Sequence, residues 1–167
     1  MSQRPAGYRG QGFSLRGEKN RFVLPPSFRK VFADNNDENV LCLIPHDRYP
    51  CLSAFGLSRT DSFADLLDKE EENAVRRGEA FDRDLRSMQL WGFAEASFDQ
   101  SGRFILPDHL PGLVNISDNI CFLGGGEFIT LWDLDKLGSM GAPFAGPYAA
   151  CKAMAADARA KAKGKGK

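Results

Sequence analysis

The chain lacks the residue patterns of the commonest metal, redox and hydrolytic sites. Its four cysteines, at positions 42, 51, 121 and 151, form no Cys-x-x-Cys pair, so we expect buried thiols rather than a zinc site or a disulfide framework. Its two histidines, His46 and His109, have no neighbour at metal-ligand spacing. Neither a Gly-x-Ser-x-Gly elbow nor a Cys/His nucleophile signature occurs. We therefore expect no enzyme, no metal, no cofactor and no small-molecule substrate.

Long hydrophobic runs are also absent. The longest apolar runs have four or five residues, whereas a membrane-spanning helix needs about 20. The first residues show no apolar stretch of the kind that signal peptides contain. These features predict a cytoplasmic protein without a membrane partner.

The chain has no net charge, but its charges are unevenly placed. Residues 1–30 carry seven basic side chains and one acidic, and residues 152–167 carry six and one. Residues 31–100 carry seven basic and fifteen acidic side chains. Because salt screens each charge beyond about 8–10 Å, a basic segment of a neutral chain can still bind phosphates. The basic tail has two open interpretations: added nonspecific phosphate affinity, or solubility alone.

One short phrase occurs twice in the chain. Residues 17–25 read Gly-Glu-Lys-Asn-Arg-Phe-Val-Leu-Pro, and residues 99–107 read Asp-Gln-Ser-Gly-Arg-Phe-Ile-Leu-Pro. Apolar runs follow each copy at similar spacing, at 40–44 and 51–55 in the first half and at 120–123 and 128–132 in the second. The repeat predicts one unit used twice, each with strand, turn, strand, short helix and hairpin. Two such halves would pair strands with each other in a mainly β fold of pseudo-twofold symmetry.

Local signals complete the outline. Ser62 and Asp65 form a Ser-x-x-Asp capping box that opens a helix. Phe81, Leu85 and Met88 form one apolar stripe of a second helix, which predicts core packing. The glycines at 124–126 predict a hairpin turn rather than a phosphate cradle, since no helix follows. Residues 138–167 are rich in Gly, Ala and Lys and are expected to be largely disordered.

The first copy of the phrase is more basic than the second. Guanidinium groups suit phosphate oxygens and the guanine edge, and lysine suits phosphate. We therefore predict a DNA-binding site on and around the first turn, formed by Arg9, Arg16, Lys19, Arg21 and Arg29. The second copy offers only Arg103, with Asp99 four residues before it. We expect these two residues to pair and to hold a structural turn.

The repeated turn-Arg-apolar-Pro phrase resembles the MraZ family of bacterial transcriptional regulators, which belongs to the AbrB/SpoVT-like swapped-hairpin superfamily. Further matching pieces are Tyr8-Arg9-Gly10, residues 49–52 and the closing Phe-Ile-Thr-Leu-Trp-Asp of residues 128–133. The resemblance covers roughly residues 8–137. It implies a mainly β fold with short helices (α+β), in which two AbrB-like units form an intramolecular pseudo-twofold swapped-hairpin β-barrel. Its domain boundaries would be an arm at 1–7, unit 1 at 8–57, a helical connector at 58–90, unit 2 at 91–137 and the tail at 138–167.

The resemblance also implies a function. The chain would be a sequence-specific, nucleoid-associated DNA-binding regulator, chiefly a repressor of its own promoter and of the division and cell-wall gene cluster. It would bind short direct repeats in double-stranded DNA as a homo-oligomeric ring. DNA contacts of the family lie on the first unit's turn, which carries over to Lys19 and Arg21, and to Arg9.

The first turn departs from the family pattern at two positions. Gly17 stands where aspartate is expected, and Asn20 stands where glycine is expected. Asparagine tolerates positive φ better than most residues, so the turn can persist. The alternative to a DNA reader is an AbrB-like antitoxin or a protein-interaction scaffold without specific DNA reading. A small enzyme is a third interpretation, for which no acid/base pair can be assembled.

Overall fold

The described part of the protein contains eight short strands and six α-helices in an α+β arrangement. The computed structural model describes residues 6–165. The strands are β1 (Gln11–Leu15), β2 (Arg21–Val23), β3 (Val40–Pro45), β4 (Leu52–Phe55), β5 (Ala94–Ser97), β6 (Arg103–Ile105), β7 (Asn119–Gly124) and β8 (Ile129–Trp132). The helices are α1 (Pro26–Asp34), α2 (Phe63–Arg76), α3 (Arg83–Trp91), α4 (Pro111–Val114), α5 (Leu134–Gly138) and α6 (Ala145–Lys165).

Strand pairing joins the two copies of the repeat. Six strands form an antiparallel sheet in the order β1-β7-β8-β4-β3-β5. The first strand of the first unit pairs with β7 of the second unit, and β5 of the second unit pairs with β3 of the first. Exchanging each strand with its equivalent in the other unit (β1 with β5, β3 with β7, β4 with β8) gives the same order read from the opposite edge of the sheet. The halves therefore share one sheet, as the repeat predicts.

The remaining strands, β2 and β6, form a separate two-stranded ribbon. Phe22 lies opposite Phe104, and both rings are buried with centroids 6.2 Å apart. The predicted closed barrel is not seen among residues 6–165, where an open six-stranded sheet accompanies this ribbon. The two ribbon strands are three residues long and end shortly before Pro25 and Pro107, so their hydrogen-bond ladder does not continue into the sheet.

One large apolar core lies between the sheet, the ribbon and α1. Pro26 occupies the first turn of α1, where its missing N–H costs no hydrogen bond. The i, i+3, i+4 spacing of Phe28, Val31 and Phe32 predicts one apolar face of this helix. All three side chains are buried, which confirms it. The four cysteines are buried and unoxidised, as expected. The turn predicted at 124–126 is also confirmed, with Gly125 N–H donating to the Phe128 carbonyl at 2.8 Å.

The helical connector differs from the prediction in two respects. Ser62 does not cap α2, because its hydroxyl donates instead to the Arg59 carbonyl at 2.8 Å. Leu85 and Met88 of α3 are 50% and 66% exposed, so the predicted core stripe is wrong. Arg86 explains the orientation of α3: its guanidinium binds both oxygens of Glu70 at 2.8 and 3.1 Å. This two-bond pair holds the polar side of α3 against α2 and turns the apolar side outward.

The tail is also different from the prediction. Residues 145–165 form α6 rather than a disordered segment. Alanine is the strongest helix former, and it recurs through this stretch. The helix packs on β1 and β7 through Cys151 and Ala155, which are 0% and 1% exposed. Such small anchors four residues apart do not produce a recognisable apolar stripe, which is why the sequence did not reveal the helix.

The predicted arm at 1–7 is described only from Ala6 onward, and its earlier residues lie outside the described part. Ala6 is docked on the end of α1, since its N–H donates to Asn35 Oδ1 at 2.7 Å and its carbonyl accepts from Asn35 Nδ2 at 3.1 Å. Across residues 6–165, no helix combines the length and the apolar character that crossing a bilayer requires.

Candidate nucleic-acid interface

The first turn of the repeat is a strained, exposed loop between β1 and β2. It closes with a hydrogen bond from Gly17 N–H to the Arg21 carbonyl at 2.7 Å. Lys19 and Asn20 both adopt positive φ, at 58° and 61°. Left-handed backbone costs a lysine about 1–2 kcal/mol, because its Cβ crowds the following carbonyl. Strain of this kind persists only where the surrounding structure imposes it, and it concentrates at functional sites.

Asn20 fastens the first turn to the second unit. Its backbone carbonyl accepts from Leu106 N–H at 3.3 Å, and its side-chain Nδ2 donates to the Leu106 carbonyl at 3.1 Å. The symmetry-equivalent bond joins Leu24 N–H to the Gly102 carbonyl at 2.8 Å. The asparagine therefore replaces the expected glycine with the turn intact, as the sequence suggests, and adds a bond that glycine lacks.

The second turn is organised by Asp99. Its Oδ1 accepts from Ser101 N–H at 2.9 Å and from Arg103 N–H at 3.0 Å, and its Oδ2 accepts from Arg103 Nε at 2.8 Å. The pKa of the Asp99 carboxyl is lowered chiefly by the Arg103 backbone N–H, then by the Arg103 side chain and the Ser101 N–H. Gly17 at the equivalent position of the first turn offers no such carboxylate.

The arginines of the two turns consequently differ in their surroundings. Arg21 is exposed, and no ion pair to it within 4.0 Å is found among residues 6–164, whereas Arg103 is tied to Asp99. Arg16 and Lys19 are also exposed and lie within five residues of Arg21. The first turn therefore presents three cations to solvent, with Glu18 as the acidic residue among them.

Both arginines border one open groove between the ribbon and the edge strand β5. Its volume is about 670 Å³. Its charged lining consists of Arg21, Arg103, Glu95 and Asp99. The groove is thus electrostatically mixed, and the basic character increases toward the first turn.

The structure does not bring all five predicted basic residues together. Arg29 lies half-buried against the second turn, where its Nη1 donates to the Gln100 carbonyl at 2.9 Å. Arg9 precedes β1 at the end that pairs with the 124–126 turn, and Arg16 follows β1 at the other end. The five extended residues of β1 lie between them and span about 16 Å. Only Arg16, Lys19 and Arg21 form one local group.

Two exposed aliphatic residues were missed by the sequence analysis. Val23 and Ile105 are 41% and 50% exposed, on the outer face of the ribbon. The phrase Arg-apolar-Pro treats Phe-Val-Leu and Phe-Ile-Leu as uniformly apolar triplets. The two-residue period of a strand, applied to a central buried phenylalanine, would have placed both flanking residues on the opposite face.

No arrangement for a metal ion accompanies these turns. Within the part of the chain that the structure describes, no three His, Cys, Asp or Glu side chains are grouped to hold one. The chemistry available at this surface is that of cations, a few carboxylates and two aliphatic side chains.

Comparison with known proteins finds relatives of this sequence. No protein-family model matches the chain. Proteins named "Transcriptional regulator MraZ" do match: that of Caulobacter vibrioides (strain NA1000 / CB15N) is 29% identical over 114 residues, covering 68% of this chain and 69% of the relative. Those of Parvibaculum lavamentivorans and Rickettsia bellii (strain OSU 85-389) are 26% and 28% identical over 126 and 116 residues. They cover 75% and 69% of this chain, and 75% and 73% of the respective relative.

The chain is similar to proteins named transcriptional regulator MraZ over 68–75% of its length. This similarity agrees with the resemblance carried by the duplicated phrase. The matches to the MraZ relatives span 114 to 126 residues, which is too long for either unit alone. The likeness therefore extends across both copies of the repeat.

Proposed function

We propose that the chain is a sequence-specific DNA-binding transcriptional regulator that reads short direct repeats with its first turn. Its targets would be its own promoter and the division and cell-wall gene cluster, where it would act as a repressor from a nucleoid-associated position in the cytoplasm. One observation carries the proposal: Lys19 is held at φ 58° beside the exposed Arg21, while the equivalent Arg103 is tied to Asp99. The MraZ names of the relatives support the regulatory class.

The proposed mechanism is multivalent. One turn with Arg16, Lys19 and Arg21 offers three cations, which is a small contact for stable binding to duplex DNA. In a homo-oligomeric ring, neighbouring subunits would place further turns on successive repeats, and the raised effective concentration would supply affinity. Arg29 and Asp99 hold the second turn in place, and Arg9 contacts phosphate at a separate point.

The experiment is fluorescence anisotropy of the purified protein on the DNA upstream of its own gene, against a scrambled duplex, at 50 and 200 mM salt. We expect selective binding that survives 200 mM salt. Arg21→Ala should weaken binding by about 1–3 kcal/mol per contacted repeat, or about 5- to 150-fold. Arg77→Ala is the matched control, since Arg77 is also exposed but follows α2. Equal binding of both duplexes, lost together as salt rises, would refute specific reading.

A protein-interaction scaffold or antitoxin is the alternative, and the outer side of α3 favours it. Leu85, Met88 and Trp91 are 50%, 66% and 51% exposed. In the regulator proposal this α3 row contacts a neighbouring subunit of the ring. In the alternative it binds a different protein. Light scattering of the pure chain distinguishes them: a multi-subunit mass that falls in Leu85→Ser/Met88→Ser supports the ring. A monomeric mass with a stoichiometric co-purifying protein supports the alternative.

A further inference from the structure

The outer face of the β2/β6 ribbon has an unusual composition. Arg21 lies opposite Ile105, and Val23 lies opposite Arg103. Each strand therefore contributes one arginine and one β-branched aliphatic residue, and the two strands are related by the pseudo-twofold symmetry of the sheet. Because paired strands are about 4.8 Å apart, these four side chains occupy a compact, narrow surface.

The orientation of this face is set by the core. Phe22 and Phe104, at the middle of each strand, are 0% and 2% exposed. A shift of either strand by one residue would bring a phenylalanine out and an arginine in, which the core forbids. The partial exposure of Val23 and Ile105, 41% and 50%, is thus a fixed property of the ribbon.

The charge around the aliphatic pair indicates what it contacts. Among the other exposed apolar residues, Val75, Leu85 and Met88 lie in the connector, which carries an excess of acidic side chains. Ile105 instead lies opposite the exposed Arg21, next to the turn that presents Arg16 and Lys19, and Val23 lies opposite Arg103, which is paired with Asp99. A surface of cations and aliphatic groups is complementary to a partner with anions at its edge and small apolar groups between them.

The major groove of DNA has this composition. Phosphates line its rims, guanine offers two acceptors, and thymine projects a C5-methyl group that aliphatic side chains contact. The groove is about 12 Å wide and admits a two-stranded ribbon. We propose that Val23 and Ile105 are specificity-determining residues that recognise thymine methyl groups in the major groove. This inference rests on the proposed function and adds the bases that are read.

The test replaces every thymine of the bound DNA by deoxyuridine. Deoxyuridine lacks the methyl group and keeps the hydrogen-bonding groups, so the change isolates the apolar contact. The probe is a synthetic duplex of the upstream region that the protein protects from nuclease, in thymine and uracil forms. Each buried methyl contributes about 0.8 kcal/mol, or about 4-fold. We expect the thymine form to bind about 4-fold more tightly for one methyl read, and about 15-fold for two.

Variants assign the effect to the ribbon. In Val23→Ser/Ile105→Ser the ratio of the two affinities should fall to about 1, and this ratio does not depend on how much of the variant is folded. Val75→Ser is the matched control, since Val75 is 72% exposed on α2 and away from the ribbon. It should keep the wild-type ratio.

Three results would overturn the inference, and they differ in whether the proposed DNA-binding function is refuted as well. Equal binding of thymine and uracil duplexes, with selectivity over scrambled DNA retained, refutes methyl recognition and leaves the proposed function standing. No selectivity over scrambled DNA in either form refutes the proposed function, and this inference with it. A double variant that loses its oligomeric mass while keeping the thymine preference would show that the aliphatic pair contacts another subunit.

Discussion

Lys19→Gly is expected to make the protein more stable and a poorer DNA binder. Lys19 has φ 58° and ψ 37°, in the left-handed region. Removing its Cβ relieves about 1–2 kcal/mol of strain, and the greater unfolded-state freedom of glycine offsets about 0.5–1 kcal/mol of that gain. The net result is a stabilisation of about 0.5–1 kcal/mol, or about 1–4 °C in Tm for a chain of this size.

The assay is equilibrium denaturation in urea, with Lys30→Gly as the control. Lys30 is also an exposed lysine, but it lies inside α1. There the same substitution should destabilise by about 0.7–1 kcal/mol, because glycine is a poor helix residue. The two variants should therefore move the unfolding midpoint in opposite directions.

Lys19→Gly should weaken DNA binding, although it stabilises the fold. Removing the Lys19 ammonium removes one phosphate contact, so the slope of log affinity against log salt should decrease by about one in magnitude. If Lys19→Gly destabilises as much as Lys30→Gly does, the first turn is not strained and the argument for its functional role fails.

Three further outcomes are expected. Gly102→Ala should destabilise by at least about 2 kcal/mol in urea melts, since its φ is 85° and an added Cβ would lie 2.4 Å from the Leu24 carbonyl; Gly112→Ala, in open space, should change little. Arg103→Ala should lower Tm with little change in DNA affinity per folded protein, and weakening equal to that of Arg21→Ala would refute the division between the turns. Removing residues 159–167 deletes five basic side chains beyond the buried Ala155. This truncation should reduce the salt slope of DNA binding without changing which repeats are chosen, and an altered choice would show that the tail reads sequence.

The duplicated phrase allowed much of the fold to be predicted. Alternating strands and prolines located the β1–β4 and β5–β8 segments, and the i, i+3, i+4 pattern correctly assigned Phe28, Val31 and Phe32 to the core. Contacts between residues distant in sequence were harder to predict. Nothing local to Leu85 or Met88 shows that Arg86, between them, binds Glu70 and turns α3 around.

The candidate site could likewise be predicted only in part from the sequence. Residue type and spacing were enough to propose Lys19 and Arg21 and to expect Asn20 to permit the turn. The positive φ of Lys19 was not predictable, since lysine has no preference for it. The bonds that fix its neighbour Asn20 come from Leu106, far along the chain. The separation of Arg9 from Arg16 depends on β1 being extended between them. Helix α6 depends on Cys151 and Ala155 fitting a sheet whose other members are distant in sequence.

The exchange of strands between units affects how this protein emerges from the ribosome. Residues 11–15 pair with residues 119–123, so about 100 further residues must be made before β1 has a partner. At about 5–20 residues per second, this takes about 5–20 s. Even then β1 lacks α6, which is made after β7. The first unit cannot close its sheet ahead of the second, so a nascent chain stopped before residue 119 exposes apolar strands to chaperones and proteases. Quality control therefore acts on both copies of the repeat together.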